Sequence, residues 1–473
     1  MAGVAGPVRP GRRMRGGLAL RALVAGAVAI VLAGCSSSIG GQGAPNPEQV
    51  PPPGKPVGYT PSNFDITYAQ DGSEADQIAR DAYDDIIANY NSWYPDLFGH
   101  DFQAPAHYYS IGPDDGHASG CMSGPDDQRV VDNAFYCPPG DEITYWRPML
   151  QKFADDFGDV QAALILAHEL GHTIQDREGM YDVRSIVAET QADCFAGTWL
   201  RSVVEGDDPH FKFDVSTLDG ALLGWTSGLS YEIGSDPDSL DQHGSMFDRV
   251  TAVQEGYEQG PEACRDNFDD DRLFTQMAFT TANQSDDGQG NQIYDTTVTS
   301  AISVYDAFYA EALESLGATW TPPRLLTGGS TQSSCGVQEF LTYCAADNSV
   351  VITDEEALRE MHTRDGDFAT MTAIGLVYGI AAISQLGYSQ EDPNAMLAAS
   401  CLTGAVAGEL LAPNNRFQLT LSPGDFDEAT VMLLTAGPDN PVVDTGDQSA
   451  FARLDAYRAG VNGGIGNCGV SGQ

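Results

Sequence analysis

The stretch VQAALILAHELGHTIQD, residues 160–176, constrains this chain more than any other. It contains no proline and has helix-forming composition, yet His168, Glu169 and His172 stand inside its apolar run. A helix turns every ~3.6 residues, so a spacing of four places the two imidazoles on one face, a turn apart. Buried without partners, three such polar groups would cost the fold dearly. Two imidazoles that share one metal ion remove that cost. Zinc favours nitrogen ligands at tetrahedral positions, and Glu169, one residue round the helix, is placed to act as a base on a water molecule beside the ion.

A catalytic zinc ion takes three protein ligands and keeps one position open. The metzincin pattern would continue the same segment with a glycine and a histidine, but Gln175 and Glu178 stand at those positions, which excludes that class. Downstream, SIVAETQADCFAGTWL (185–200) again reads as a helix, with Glu189 and Asp193 a turn apart on a common face. Glu189 is the candidate third ligand. Asp193 is placed to accept the second ring N–H of a ligand histidine. Cys194 lies about 100° round the helix from Asp193 and reads as a disulfide cysteine rather than a ligand.

Four segments together carry a more specific signal: AHELGHTIQ, AETQADCFAGTWL, the earlier NAFYCPPGDEITY and the later HGSMFDRVTAVQEGYEQGPEAC. Over roughly residues 75–270 the chain resembles the bacterial neutral zinc metallopeptidases, which are similar to gluzincins in using a glutamate as third ligand. The resemblance implies zinc held by His168, His172 and Glu189, with Glu169 catalytic and Asp193 supporting. It also marks His243, which sits where that family carries an H-G-S or H-G-T element, as a donor to the oxyanion formed in peptide hydrolysis. ITYW stands where the family pattern leads one to expect IYLD, which leaves the local strand register open.

The N-terminus reads as an export signal. Arg9, Arg12, Arg13, Arg15 and Arg21 precede the apolar ALVAGAVAIVLAGC, which is short for a membrane span and ends in LAGC, similar to a bacterial lipobox. On this reading residues 1–34 are a signal peptide, Cys35 is lipidated, and residues 35–60, rich in Ser, Gly and Pro, are a flexible tether. The expected location is the extracytoplasmic face of the bacterial cell membrane. With 67 acidic residues against 23 basic, the chain would repel nucleic acid, and the acidity reads as a solvated surface.

Comparing the chain with itself suggests a tandem duplication. YCPPGDEITYWRPMLQKFADDFGD aligns with YCAADNSVVITDEEALREMHTRDGD, ALILAHELGHTI with MTAIGLVYGIAA, AETQADCFAG with AMLAASCLTG, and FDRVTAVQEGYEQGPEAC with FARLDAYRAGVNGGIGNC. His168, Glu169 and His172 then meet Leu376, Val377 and Ile380; Glu189 meets Met396, Asp193 meets Ser400, and His243 meets Asp447. The second copy should therefore bind no zinc, leaving one ion per chain. Of nine cysteines, eight remain once Cys35 is set aside, an even number that suits an exported chain with disulfides. Their matched positions suggest Cys121 with Cys137, Cys194 with Cys264, Cys335 with Cys344, and Cys401 with Cys468.

The sequence thus predicts a helix-rich α+β fold of two tandem metallopeptidase-like domains, residues 61–285 and a degenerate 286–473, joined near 282–292. The expected activity is zinc-dependent hydrolysis of a peptide or protein substrate. The alternative is a non-catalytic, zinc-bound scaffold or binding lipoprotein of the cell envelope.

Overall fold

The computed structural model describes residues 55–471, apart from 57, 114, 214–217, 219–221, 223, 225–232, 241, 280–289, 328–332, 337–340, 413, 418 and 437–447. The signal segment, Cys35, most of the tether, the 285/286 boundary and Asp447 lie outside the described residues.

The first half opens with α1 (Glu74–Phe98), whose N-terminus is capped by the Ser73 hydroxyl accepting from Asp76 N–H and whose C-terminus ends on left-handed Gly99. Three short strands follow: β1 (His107–Ile111), β2 (Ala134–Cys137) and β3 (Glu142–Trp146). Strand β3 is central, parallel to β1 from His107 opposite Glu142 to Ile111 opposite Trp146, and antiparallel to β2. ITYW therefore belongs to the central strand and has a defined register. Helix α2 (Arg147–Phe157) gives way to α3 (Asp159–Glu178) through Gly158 alone, whose φ of 99° bends the chain where a side chain would be strained. Next come α4 (Ser185–Glu205), α5 (Met246–Gln259) and α6 (Pro261–Asp266).

The second half repeats this order. Helix α7 (Tyr294–Ser315) precedes β4 (Arg324–Thr327), β5 (Leu341–Cys344) and β6 (Ser349–Ile352), with β6 parallel to β4 and antiparallel to β5. Helix α8 (Glu355–Asp365) meets α9 (Asp367–Gln385) through Gly366, and then come α10 (Ala395–Leu411), α11 (Asp425–Thr435) and α12 (Ala450–Gly463). Disulfides join Cys121 to Cys137, Cys194 to Cys264, Cys335 to Cys344 and Cys401 to Cys468, the pairing that the internal alignment suggests.

Close helix crossings recur at aligned glycines. A Cβ on Gly171 would come within 2.8 Å of the Ala192 carbonyl oxygen, and one on Gly379 within 2.8 Å of Ala399 Cα. A Cβ on Gly256 would overlap the Cys194 carbonyl oxygen, and one on Gly460 that of Cys401. These contacts draw α3 onto α4 and α4 onto α5, and likewise α9 onto α10 and α10 onto α12. The core is continuous across both halves. Phe247 packs its ring 5.3 Å from Phe426 and 5.9 Å from Tyr457, and Gln254 Nε2 donates to the Phe451 carbonyl at 2.9 Å.

Among the described residues one helix, α9, is long and apolar enough to cross a membrane, but 89% of its apolar window is buried inside the protein. In the internal alignment it is matched with α3. The acidity is not all solvated: Asp76, Asp81, Asp193, Asp248, Asp425 and Glu142 are among the carboxylates that the fold buries. Each of these side chains accepts hydrogen bonds or ion pairs, which composition alone does not reveal.

Candidate active site

Helix α3 is buried over most of its length, so His168, Glu169 and His172 point into the protein, 2–3% exposed. Helix α4, drawn close by Gly171, brings Glu189 against them. Nε2 of His168 is 3.1 Å from Nε2 of His172, and Glu189 Oε2 is 3.2 Å from the first and 3.5 Å from the second. Donors at ~2.0–2.1 Å from a tetrahedral zinc ion would be about 3.3 Å apart. The two nitrogens and one oxygen therefore have the spacing and the chemistry of three zinc ligands.

The outer ring nitrogens explain why the inner ones face each other. Asp193 Oδ1 is 2.7 Å from His168 Nδ1, and Arg249 donates Nε–H and Nη2–H to the same carboxylate at 2.8 and 2.9 Å. Burial works against the Asp193 charge, but Arg249 and His168 outweigh it and lower its pKa. An ionised Asp193 can only accept, so His168 carries its proton on Nδ1 and turns the Nε2 lone pair inward. Gln175 fixes the second ring. Its Nε2 donates to the Ala188 carbonyl at 2.6 Å and to Gln191 Oε1 at 3.0 Å, which leaves Oε1 facing His172 Nδ1 at 2.8 Å. That oxygen accepts, so His172 also carries its proton outside and its lone pair inside.

Glu169 is not part of the ligand set. Its Oε2 accepts the backbone N–H of Tyr136 on edge strand β2 at 2.8 Å. Burial raises its pKa, partly offset by the neighbouring histidines. Burial also works against the charge on Glu189, yet His172 and His243 outweigh it and hold that carboxyl well below its usual range. His243, 8% exposed, approaches from the turn before α5 with Nε2 3.8 Å from Glu189 Oε2. That turn is anchored by a capping box in which the Ser245 hydroxyl accepts from Asp248 N–H and Asp248 accepts from Ser245 N–H.

The structure thus brings together His168, Glu169, His172, Glu189, Asp193 and His243. Sequence reasoning missed Arg249 and Gln175. Arg249 had a signal in its alignment with Arg453, which keeps its place but donates to the Leu433 and Ala436 carbonyls where Ser400 replaces the carboxylate. In sequence Gln175 marks only the absence of the metzincin glycine, and gives no sign of its bond to His172. At the aligned zinc positions Leu376, Val377 and Met396 are buried, and Ile380 is packed against the core. A second group that sequence reasoning missed is Asp367, Asp425 and Glu428, a differently composed cluster in the second half.

A family model described as "Putative neutral zinc metallopeptidase" matches residues 66–268. The "Uncharacterized protein YpfJ" of Escherichia coli strain K12 is 27% identical over 180 residues, which is 32% of this chain and 58% of that protein. The protein of the same name from Escherichia coli O6:H1 strain CFT073 matches to the same extent. The match thus spans 58% of the length of these relatives. No solved structure matches. The constellation of His168, Glu169, His172 and Glu189 matches a zinc metallopeptidase active site, in a zinc-peptidase-like domain.

Proposed function

We propose that this chain hydrolyses peptide bonds in a zinc-dependent reaction, as a lipoprotein held at the extracytoplasmic face of a bacterial membrane through Cys35. The observation that carries the reading is the carboxylate of Glu169, held beside a three-ligand set without belonging to it. A structural zinc site needs no such base and usually closes its fourth position with Cys or His. Zinc, when bound by His168, His172 and Glu189, would supply a Lewis acid that polarises the scissile carbonyl and acidifies a water molecule.

The rest of the reaction falls to this chain's own groups. Glu169 takes a proton from the attacking water and returns it to the leaving nitrogen, a shuttle aided by the burial that raises its pKa. His243 donates a hydrogen bond to the oxygen that gains charge as the carbonyl is attacked. Asp193 and Gln175 keep both imidazoles oriented. Residues 286–473 serve as a degenerate copy without zinc, a role supported by the repeated element order, the aligned glycines and the aliphatic side chains at the lost ligand positions.

The test is cleavage of a peptide library by the purified chain. Hydrolysis should stop on chelation and return with one equivalent of zinc. A zinc-loaded, folded chain that cleaves nothing would favour the scaffold reading.

A further inference from the structure

Three carboxylates, two buried and one half-buried, converge away from the zinc donors: Asp367 in the first turn of α9, and Asp425 and the half-buried Glu428 in the first turn of α11. One oxygen from each lies within 4.8 Å of the others. Among the described residues, their hydrogen-bond donors are all neutral. Asp367 Oδ2 accepts Gln292 N–H at 2.9 Å, Glu428 Oε2 accepts Phe368 N–H at 2.7 Å, and Asp425 accepts Ser422 N–H at 2.9 Å together with the Ser422 hydroxyl. Asp367 is only 7% exposed, and its Oδ1 is buried without a hydrogen-bond partner. Asp367 and Asp425 both line a cavity of about 20 Å³, room for one small occupant.

The first half handles the equivalent position differently. Asp159 follows Gly158 as Asp367 follows Gly366, and Lys55 Nζ lies 2.7 Å from Asp159 Oδ2. Among the described residues no lysine or arginine pairs with Asp367, Asp425 or Glu428. His362 lies near, but its Nε2 is 3.0 Å from the Gln292 carbonyl and its Nδ1 3.2 Å from Thr370 Oγ1, so both nitrogens are engaged elsewhere. Burial pushes all three carboxyls up in pKa, and for Asp425 and Glu428 mutual repulsion adds to it. Such a group needs protons or a cation to be stable.

We propose that Asp367, Asp425 and Glu428 form a calcium site, occupying the place where the first half uses Lys55. An all-oxygen, carboxylate-rich donor set suits a hard cation and not zinc. Calcium–oxygen bonds of ~2.4 Å let donors on opposite sides of the ion lie about 4.8 Å apart, and calcium tolerates irregular geometry where magnesium demands a near-ideal octahedron. The ion would fasten α11 to α9. Helix α11 also carries Asp427, which accepts the Met246 N–H at the start of α5, just after His243. Calcium would thereby brace the turn that carries His243.

Calorimetric titration of calcium chloride into the full, zinc-loaded chain in chelator-treated buffer tests this. One saturable calcium per chain is expected, with Tm rising as calcium is added. Asp367→Asn should lose the bound calcium while keeping one zinc. Should that variant not fold, Glu428→Gln, nearer the surface, reads the same loss. No saturable uptake by the wild-type chain at millimolar calcium overturns the proposal, as does undiminished calcium binding in either folded variant. Preference for magnesium over calcium overturns the choice of ion.

Discussion

Asp193 and His168 lie 2.7 Å apart, and Arg249 clamps the far side of the same carboxylate. The pair fixes the tautomer and orientation of a metal-binding ring, so its loss should be felt first in metal affinity. Asp193→Asn is expected to weaken zinc binding by roughly tenfold to a hundredfold. Competition against a chromophoric chelator measures it. Asp193→Ala should also destabilise the fold by about 3–5 kcal/mol, because it removes the acidic side of a buried ion pair and opens a hole beside His168. Unchanged zinc affinity in folded Asp193→Asn would remove Asp193 from the metal-positioning role.

Glu169→Gln keeps the size of the side chain and its ability to accept the Tyr136 N–H, but removes the base. Peptide hydrolysis should fall by at least about a hundredfold. Zinc content, measured by mass spectrometry, should stay at one per chain. Full activity in this variant would falsify the proton shuttle.

His243→Ala should lower kcat by roughly tenfold to a thousandfold, the range for loss of one oxyanion donor. Because His243 Nε2 is only 3.8 Å from the ligand Glu189, zinc content must be measured alongside. A drop in kcat with zinc retained supports the donor role. A wild-type kcat returns His243 to an ordinary turn residue.

Much of this site can be read in the sequence because helix periodicity is local. The four-residue spacings of His168 with His172 and of Glu189 with Asp193 state which side chains share a face before any tertiary contact is known. Arg249 was not legible in that way. It reaches Asp193 across 56 positions of sequence, a contact made by the crossing of α4 and α5 and not by local pattern. The cluster of Asp367, Asp425 and Glu428 failed for the same reason, since 58 positions separate Asp367 from Asp425 and an aspartate after glycine reads as an ordinary helix start. The repeated sheet was foreseeable only as an alignment. Its strands are four or five residues long, too short for alternation to declare them.

The aligned glycines predict a matched pair of defects. Gly256→Ala would drive a methyl group into the Cys194 carbonyl, and Gly460→Ala would do the same at Cys401. Alanine is the better helix former by about 1 kcal/mol, so steric overlap has to win for the change to destabilise. Backbone cannot move aside as a flexible side chain could, and overpacking typically costs about 1–3 kcal/mol. Both variants should show lower urea midpoints than the wild-type chain. A midpoint that rises in either would mean that the crossing is looser than its geometry implies.

Asp427 gives a prediction in pH. Burial, with Asp248 nearby, pushes its carboxyl up from 3.8 to about 7. In the unfolded chain the same group loses its proton near ~3.9. Between these values the folded protein holds a proton that the unfolded chain has released, so stability is full below the lower value and is lost as pH rises through about 7. Asp427→Asn keeps an oxygen to accept the Met246 N–H but has no charge to bury. Relative to the wild-type chain it should therefore gain stability between pH ~5 and ~8. Urea midpoints of both proteins across that range, in calcium-free buffer, read the difference. If the gap between the two is the same at both ends, Asp427 is ionised throughout and its burial is compensated by its backbone partners.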